Sequence, residues 1–166
     1  MATITLKGNP THTSGELPQR GQKAPDFRLT QENLTNVSLK DFEGKRKILN
    51  IFPSIDTPVC ATSVRRFNQE AVKLSNVVIL TVSADLPFAL KRFCGAEGIS
   101  TVVPLSDFRS KSFGQDYGVR MTDGPFEGLL SRAVVVLDEH NTVVHAEQVP
   151  EIAQEPDYEE ALAALR

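Results

Sequence analysis

Two side chains in this sequence are equipped for covalent chemistry, Cys60 and Cys94, and they are its only cysteines. Cys60 closes the segment Phe52-Pro53-Ser54-Ile55-Asp56-Thr57-Pro58-Val59-Cys60, where an apolar run gives way to helical spacing. Thr57 suits a helix N-cap, and Pro58 suits the first helical position, where its missing N–H costs nothing. Cys60 then falls in the first turn. Its sulfur lies near backbone N–H groups without intrahelical partners and near the positive end of the helix dipole, both of which stabilise a thiolate. The thiolate is the nucleophilic form, and helix N-termini are where cysteines are activated. A helical cysteine is ordinarily a small buried apolar residue; the capped first-turn position favours the reactive reading. Cys94, set among Phe88, Leu90 and Phe93, reads on its own as a buried thiol.

Cys60 needs a strand before its helix and a sheet beneath it. Lys47 to Phe52 is a mostly apolar run that reads as a buried central strand, and Val77 to Val82 and Ala133 to Leu137 have the same character, which suits a sheet covered on both faces. Cys60, Val64, Phe67, Ala71 and Leu74 recur at steps of four and three, one apolar stripe of a helix over Pro58 to Leu74. A second helix is expected from Leu86 to about Cys94, capped by Asp85 and ended by Gly95. A third is expected over Ser110 to Tyr117 and a fourth over Pro156 to Leu165. Short strands are expected at Phe27 to Thr30 and Val37 to Leu39, another strand after the second helix, and a final pair, Arg132 to Asp138 and Thr142 to Val149, around Glu139-His-Asn141. The sum is an α/β fold with a mixed sheet. Thr3 to Lys7 alternates at the strand period, and Gly8-Asn9-Pro10 turns it toward Thr11-His-Thr13, a hairpin expected to decorate the edge of the fold.

Length and composition bound the rest. A chain of 166 residues suits one domain over 1–166, with 1–17 as a hairpin extension and 18–166 as the core. A net charge of −3 argues against nucleic-acid or anionic-membrane surfaces, which need clustered Lys and Arg; Lys45-Arg46-Lys47 reads as a solvated turn. Met1 to Pro10 carries no continuous apolar segment of the kind a secretory signal needs, and Ala133 to Leu137 is far too short to span a bilayer. A cytoplasmic protein is expected. In that reducing compartment two cysteines that pair do so within a reaction cycle.

Pro53-x-x-x-Thr57-x-x-Cys60 resembles the peroxiredoxin signature, and Asn50 to Cys60 resembles the thiol peroxidase branch of that family. Gly-Lys-Arg-Lys at 44–47, Ser83-Ala-Asp-Leu-Pro-Phe88, Arg92-Phe-Cys-Gly-Ala-Glu-Gly98, Ser131-Arg-Ala-Val-Val-Val136 and Glu155-Pro-Asp-Tyr158 resemble it too, in the same order. The resemblance implies a thioredoxin-like fold and a thiol-specific peroxidase for hydrogen peroxide and organic hydroperoxides. It makes Cys60 the peroxidatic nucleophile, Thr57 the hydroxyl that contacts peroxide, Pro53 the shield against water and Arg132 the cation beside the thiolate. It makes Cys94 the resolving cysteine, giving an intramolecular disulfide that thioredoxin reduces. That chemistry needs no cofactor, and family members are commonly homodimers.

Two rivals stand beside this reading. A general dithiol oxidoreductase usually carries Cys-x-x-Cys at the helix start, whereas position 57 is Thr. A redox-sensing interaction module would use the same cysteine pair with little turnover. A metal site is disfavoured because His12, His140 and His145 stand in none of the usual ligand spacings with the cysteines.

Overall fold

The computed structural model describes residues 1–166. Its centre is a seven-stranded mixed sheet made of β3 (Leu29–Gln31), β4 (Asn36–Val37), β5 (Arg46–Ile51), β6 (Val77–Ser83), β7 (Val102–Ser106), β8 (Ala133–Leu137) and β9 (Val143–Gln148). The spatial order is β4-β3-β7-β6-β5-β8-β9, with β5, β6 and β7 parallel and β8 antiparallel to β5. Both sheet faces are apolar because the central strands bury side chains of both parities. Ile48, Phe52, Ile79, Val134 and Val136 pack with α1 (Pro58–Ala71), α2 (Pro87–Glu97) and α4 (Tyr158–Ala163). Leu49, Ile51, Leu80, Val82, Val135 and Leu137 pack on the other face with Phe27, Leu39 and α3 (Ser112–Asp116). No helix is long and apolar enough to cross a membrane.

The expected elements are present, with several boundaries moved. α1 stops at Ala71, and Leu74 packs from the turn beyond it, held by a tight bond from Leu74 N to Ala71 O. α2 begins later and runs longer than expected. Asp85 is not its cap, and Gly95 lies inside the helix; the end comes at Gly98, whose φ of +67° is the left-handed conformation that glycine tolerates. β3 and β4 are shifted and short, and Leu39–Phe42 forms a 3₁₀ turn capped by Ser38 and Asp41.

Lys45-Arg46-Lys47 is not a solvated turn. Arg46 and Lys47 open β5, and Lys47 is fully buried, with Nζ donating to Lys45 O at 2.9 Å and Asn141 Oδ1 at 2.6 Å. Burial holds its pKa below the ordinary lysine value, against the pull of Asp138, Glu139 and Glu43.

The hairpin of β1 (Thr3–Leu6) and β2 (Asn9–His12) turns through Lys7 and Gly8, both at positive φ as a two-residue hairpin turn demands. It is more than an edge decoration. Ile4 packs with Met121 and Ile152, and Thr5 bonds backbone to backbone with Pro150 and Ile152 at 2.8 Å each. The Glu151 carboxylate accepts from the N–H groups of Ala153, Gly8 and Lys7 and from the Thr5 hydroxyl, which lowers its pKa to about 2. This ties the hairpin to the segment that follows β9.

Candidate active site

Sheet register explains why distant residues meet. β5 ends at Ile51, and Ala133 at the start of the antiparallel β8 is its partner. Arg132, one residue earlier, therefore stands beside the turn that leads from β5 into α1. There the Arg132 Nη2 donates to Cys60 Sγ at 3.2 Å, both residues being buried. Its Nε donates to Ile152 O at 2.7 Å, which aims the guanidinium. Its Nη1 is buried without a hydrogen-bond partner. Because Ile152 is bonded to Thr5, the hairpin, the Ile152 carbonyl, Arg132 and Cys60 form one connected line.

Thr57 is the N-cap by backbone conformation, with φ −99° and ψ 146°, and Pro58 is the first helical residue, as the sequence suggests. The Thr57 hydroxyl does not cap the helix; it donates to Ser54 O at 3.0 Å. A cavity of about 240 Å³ lies outside this turn, lined by Thr57, Val59, Arg132, Leu6, Phe126 and Ile152 among others. Its walls are mainly apolar, with Thr57, Arg132 and Lys7 as the polar residues on its lining. A larger hollow of about 480 Å³ shares Leu6, Lys7 and Phe126 with it, so the hairpin walls both. Cys60 has no exposed surface and Pro53 is buried at the end of β5; neither lines the cavity.

Cys94 lies on α2 within the same apolar cluster as Cys60, and both cysteines are free thiols. Burial pushes the Cys94 thiol up to about 11, with the Glu32 carboxylate adding to the effect. In this conformation Cys94 is therefore a protonated, poorly nucleophilic thiol near neutral pH.

Three positioning residues escaped the sequence reading. Asp85, after β6, accepts from Ser54 Oγ at 2.8 Å, Ile55 N at 2.7 Å and Ser83 Oγ at 2.7 Å, so it fixes the loop that delivers Cys60. Asn50 and Ser63 form a buried relay: Asn50 Nδ2 donates to Ser63 Oγ at 3.2 Å, and Ser63 Oγ donates to Cys60 O at 2.8 Å. The signal for Asn50 was present, a polar residue inside an apolar run at the parity of Ile48 and Phe52, which faces α1. The histidines stand apart from the cysteines' hydrogen bonds, and His12 pairs with Asp123 at 2.6 Å.

The arrangement sets a buried thiol against a buried cation, and that cation reaches a cavity whose polar lining residues are Thr57, Arg132 and Lys7. Known proteins resemble the chain both in sequence and in fold. The sequence profile of the family described as Redoxin matches residues 19–162. The chain is 59% identical over 165 residues to the thiol peroxidases of Mycobacterium tuberculosis and Mycobacterium bovis, covering 99% of each sequence. Its fold is similar to a peroxiredoxin-like protein from Aquifex aeolicus, with a TM-score of 0.92 and 36% identity over 98% of this chain and 95% of that one. A thiol peroxidase from Chromobacterium violaceum has the same fold at a TM-score of 0.91 and 21% identity, covering 98% and 94% of the two chains.

Proposed function

We propose, since the chain belongs to the peroxiredoxin family as a thiol peroxidase, that it reduces hydrogen peroxide and organic hydroperoxides with Cys60 as nucleophile and Cys94 as resolving thiol. The Cys60 thiolate attacks one peroxide oxygen, the O–O bond breaks, and the other oxygen takes a proton and leaves as water or alcohol. Cys60 becomes a sulfenic acid. The sulfur of Cys94 then attacks the Cys60 sulfur, releasing water and forming an intramolecular disulfide. A thioredoxin dithiol returns both cysteines to thiols, and the cycle uses no cofactor. In this reading residues 1–166 act as one catalytic unit, in the cytoplasm, as a homodimer.

The observation that carries this reading is the Arg132 guanidinium. One nitrogen donates to the sulfur, another is a buried donor without an acceptor, and the group lines the cavity. Buried donors are almost always satisfied. A peroxide oxygen held beside Cys60 would accept from the free donor and share the cation with the sulfur, so charge moving from sulfur to the leaving oxygen stays under the same cation. The Thr57 hydroxyl offers a lone pair on the same cavity wall, and Pro53 fills space behind the turn.

The test is steady-state consumption of hydrogen peroxide and of cumene hydroperoxide by the full chain, with thioredoxin, thioredoxin reductase and NADPH. We expect turnover with both peroxides and none in Cys60→Ser. Turnover surviving in Cys60→Ser would overturn the assignment of the nucleophile.

A further inference from the structure

The Arg132 guanidinium reaches the Cys60 sulfur because its Nε is tied to the Ile152 carbonyl at 2.7 Å. Ile152 belongs to no regular element; it lies between β9, which ends at Gln148, and α4, which starts at Tyr158. A carbonyl on such a connection is placed by whatever grips the connection from outside. Here the grip comes from the N-terminal hairpin. Ile152 N donates to Thr5 O at 2.8 Å, Thr5 N donates to Pro150 O at 2.8 Å, and the Ile152 side chain packs with Ile4 and Met121.

Glu151 fastens the same join with its side chain. Its Oε1 accepts from the Thr5 hydroxyl and from Gly8 N, both at 2.9 Å. Its Oε2 accepts from Lys7 N at 3.1 Å and from Ala153 N at 2.8 Å. One carboxylate thus spans the tip of the hairpin and the residue that follows Ile152. Hydrogen bonds to an ionised acceptor are roughly twice as strong as neutral ones. With its pKa lowered to about 2, chiefly by the Ala153 and Gly8 N–H groups, Glu151 keeps its charge at neutral pH. It makes no bond to Cys60 or Arg132 and does not line the cavity beside Thr57. A second carboxylate holds the hairpin from β2. Asp123 accepts from His12 Nδ1 at 2.6 Å and from His12 N and Thr11 Oγ1 at 2.9 Å each, and none of these bonds leads to Ile152.

We propose that Glu151 is a positioning residue for peroxide attack: it fixes the Ile152 carbonyl, the carbonyl aims the Arg132 guanidinium, and the guanidinium meets the sulfur and the peroxide. This rests on the roles given to Cys60 and Arg132. The hairpin is then part of the reaction apparatus, through the Glu151 join and not through its attachment at Asp123.

The test is stopped-flow mixing of the reduced full-length protein with hydrogen peroxide, in single variants and in the Arg132→Met background, with thermal unfolding to show that each protein is folded. A misplacement of about 1 Å can cost about 10²-fold in rate, and lost aim cannot cost more than the loss of Arg132 itself. Glu151→Ala should therefore slow attack by about 5- to 30-fold. Glu151→Gln keeps an acceptor for one pair of donors and turns an amide NH2 on the other, so it should fall between alanine and wild type. Once Arg132 is methionine nothing remains to be aimed, and adding either Glu151 change should alter the constant by no more than about twofold, whereas independent effects would multiply. Asp123→Asn, which loosens the hairpin from its other side, should stay within about twofold of wild type. Where Glu151→Ala does not fold, Glu151→Gln in both backgrounds carries the same comparison. Wild-type attack in the Glu151 variants, losses that multiply in the double variants, or an Asp123→Asn protein as slow as Glu151→Ala would overturn the inference and leave the role of Arg132 standing. Wild-type attack in Arg132→Met would overturn that role and the inference with it.

Discussion

Replacing Arg132 by methionine removes the guanidinium while keeping much of its volume. Arg132 is 2% exposed, so its bond to Cys60 Sγ at 3.2 Å is made out of water. A hydrogen bond to a charged group contributes about 1.5–3 kcal/mol. If that interaction is realised in the transition state, its loss slows attack by about 10- to 150-fold, since each 1.36 kcal/mol is tenfold. Nη1 has no acceptor within the protein, and if bound peroxide accepts from it, removing such a donor should cost about 10²–10³ in rate. We expect a loss of about 10²-fold in the second-order constant for attack. The Ile152 carbonyl also loses its donor at 2.7 Å, an unsatisfied group costing about 1–3 kcal/mol of stability. Arg132→Lys keeps the charge but not the planar fork that reaches Ile152 O and the sulfur together, and should fall between the two. Stopped-flow mixing of the reduced protein with hydrogen peroxide gives the constant, and thermal unfolding shows that the variants are folded. A folded Arg132→Met protein within threefold of wild type would refute the role given to the guanidinium.

Cys94→Ser should consume about one equivalent of peroxide and accumulate a sulfenic acid that dimedone traps, yet lose turnover with thioredoxin; full turnover would remove Cys94 from the cycle. Asp85→Asn keeps the size of the side chain but weakens its bonds to Ser54, Ile55 and Ser83, and should slow attack by about tenfold, the worth of one charge-assisted bond; an unchanged rate constant would show that the loop holds itself. The Cys94 thiol, pushed up to about 11 by burial, stays protonated in the folded state over a range where the unfolded thiol, near 8.5, ionises. Its contribution to stability is therefore fully present below about pH 8.5 and lost as pH rises from there toward 11. In a Cys60→Ser background, urea unfolding across that window should show a loss of stability that the added Cys94→Ser change reduces, and equal slopes in the two proteins would contradict the buried-thiol assignment.

Local signals made much of this site legible. The turn into α1 could be read because a cap, a first-turn proline and a cysteine two residues later are fixed by neighbours in sequence. The stripe of Cys60, Val64 and Phe67 lies in the core as spacing predicts. Arg132 was different. Its place depends on the pairing of Ile51 with Ala133, which no local pattern encodes, and only the family resemblance singled it out. Asp85 was misread for a related reason: an aspartate two residues before a helix looks like a cap, but the loop after β5 competes for the carboxylate with two bonds and Ser83 at the end of β6 adds a third. Gly95 was read as the helix end because glycine commonly stops helices, and the true stop is Gly98, the one at positive φ. β7 was expected but unlocated, since Pro104 interrupts the pattern of a buried strand. Lys47 was read both as the start of the central strand and as part of a solvated turn; the strand holds it, and its charge is met by Lys45 O and Asn141.

In the proposed cycle the two thiols form one redox pair, Cys60 oxidised first and Cys94 closing the disulfide. Intact-mass and peptide analysis of the reduced full chain after one equivalent of hydrogen peroxide tests it most directly. The expected result is loss of the mass of two hydrogens, with a single cross-linked peptide joining Cys60 to Cys94 and no linkage between chains. Two thiols that still titrate after the peroxide is spent, oxygen found first on Cys94, or disulfides only between chains would contradict it.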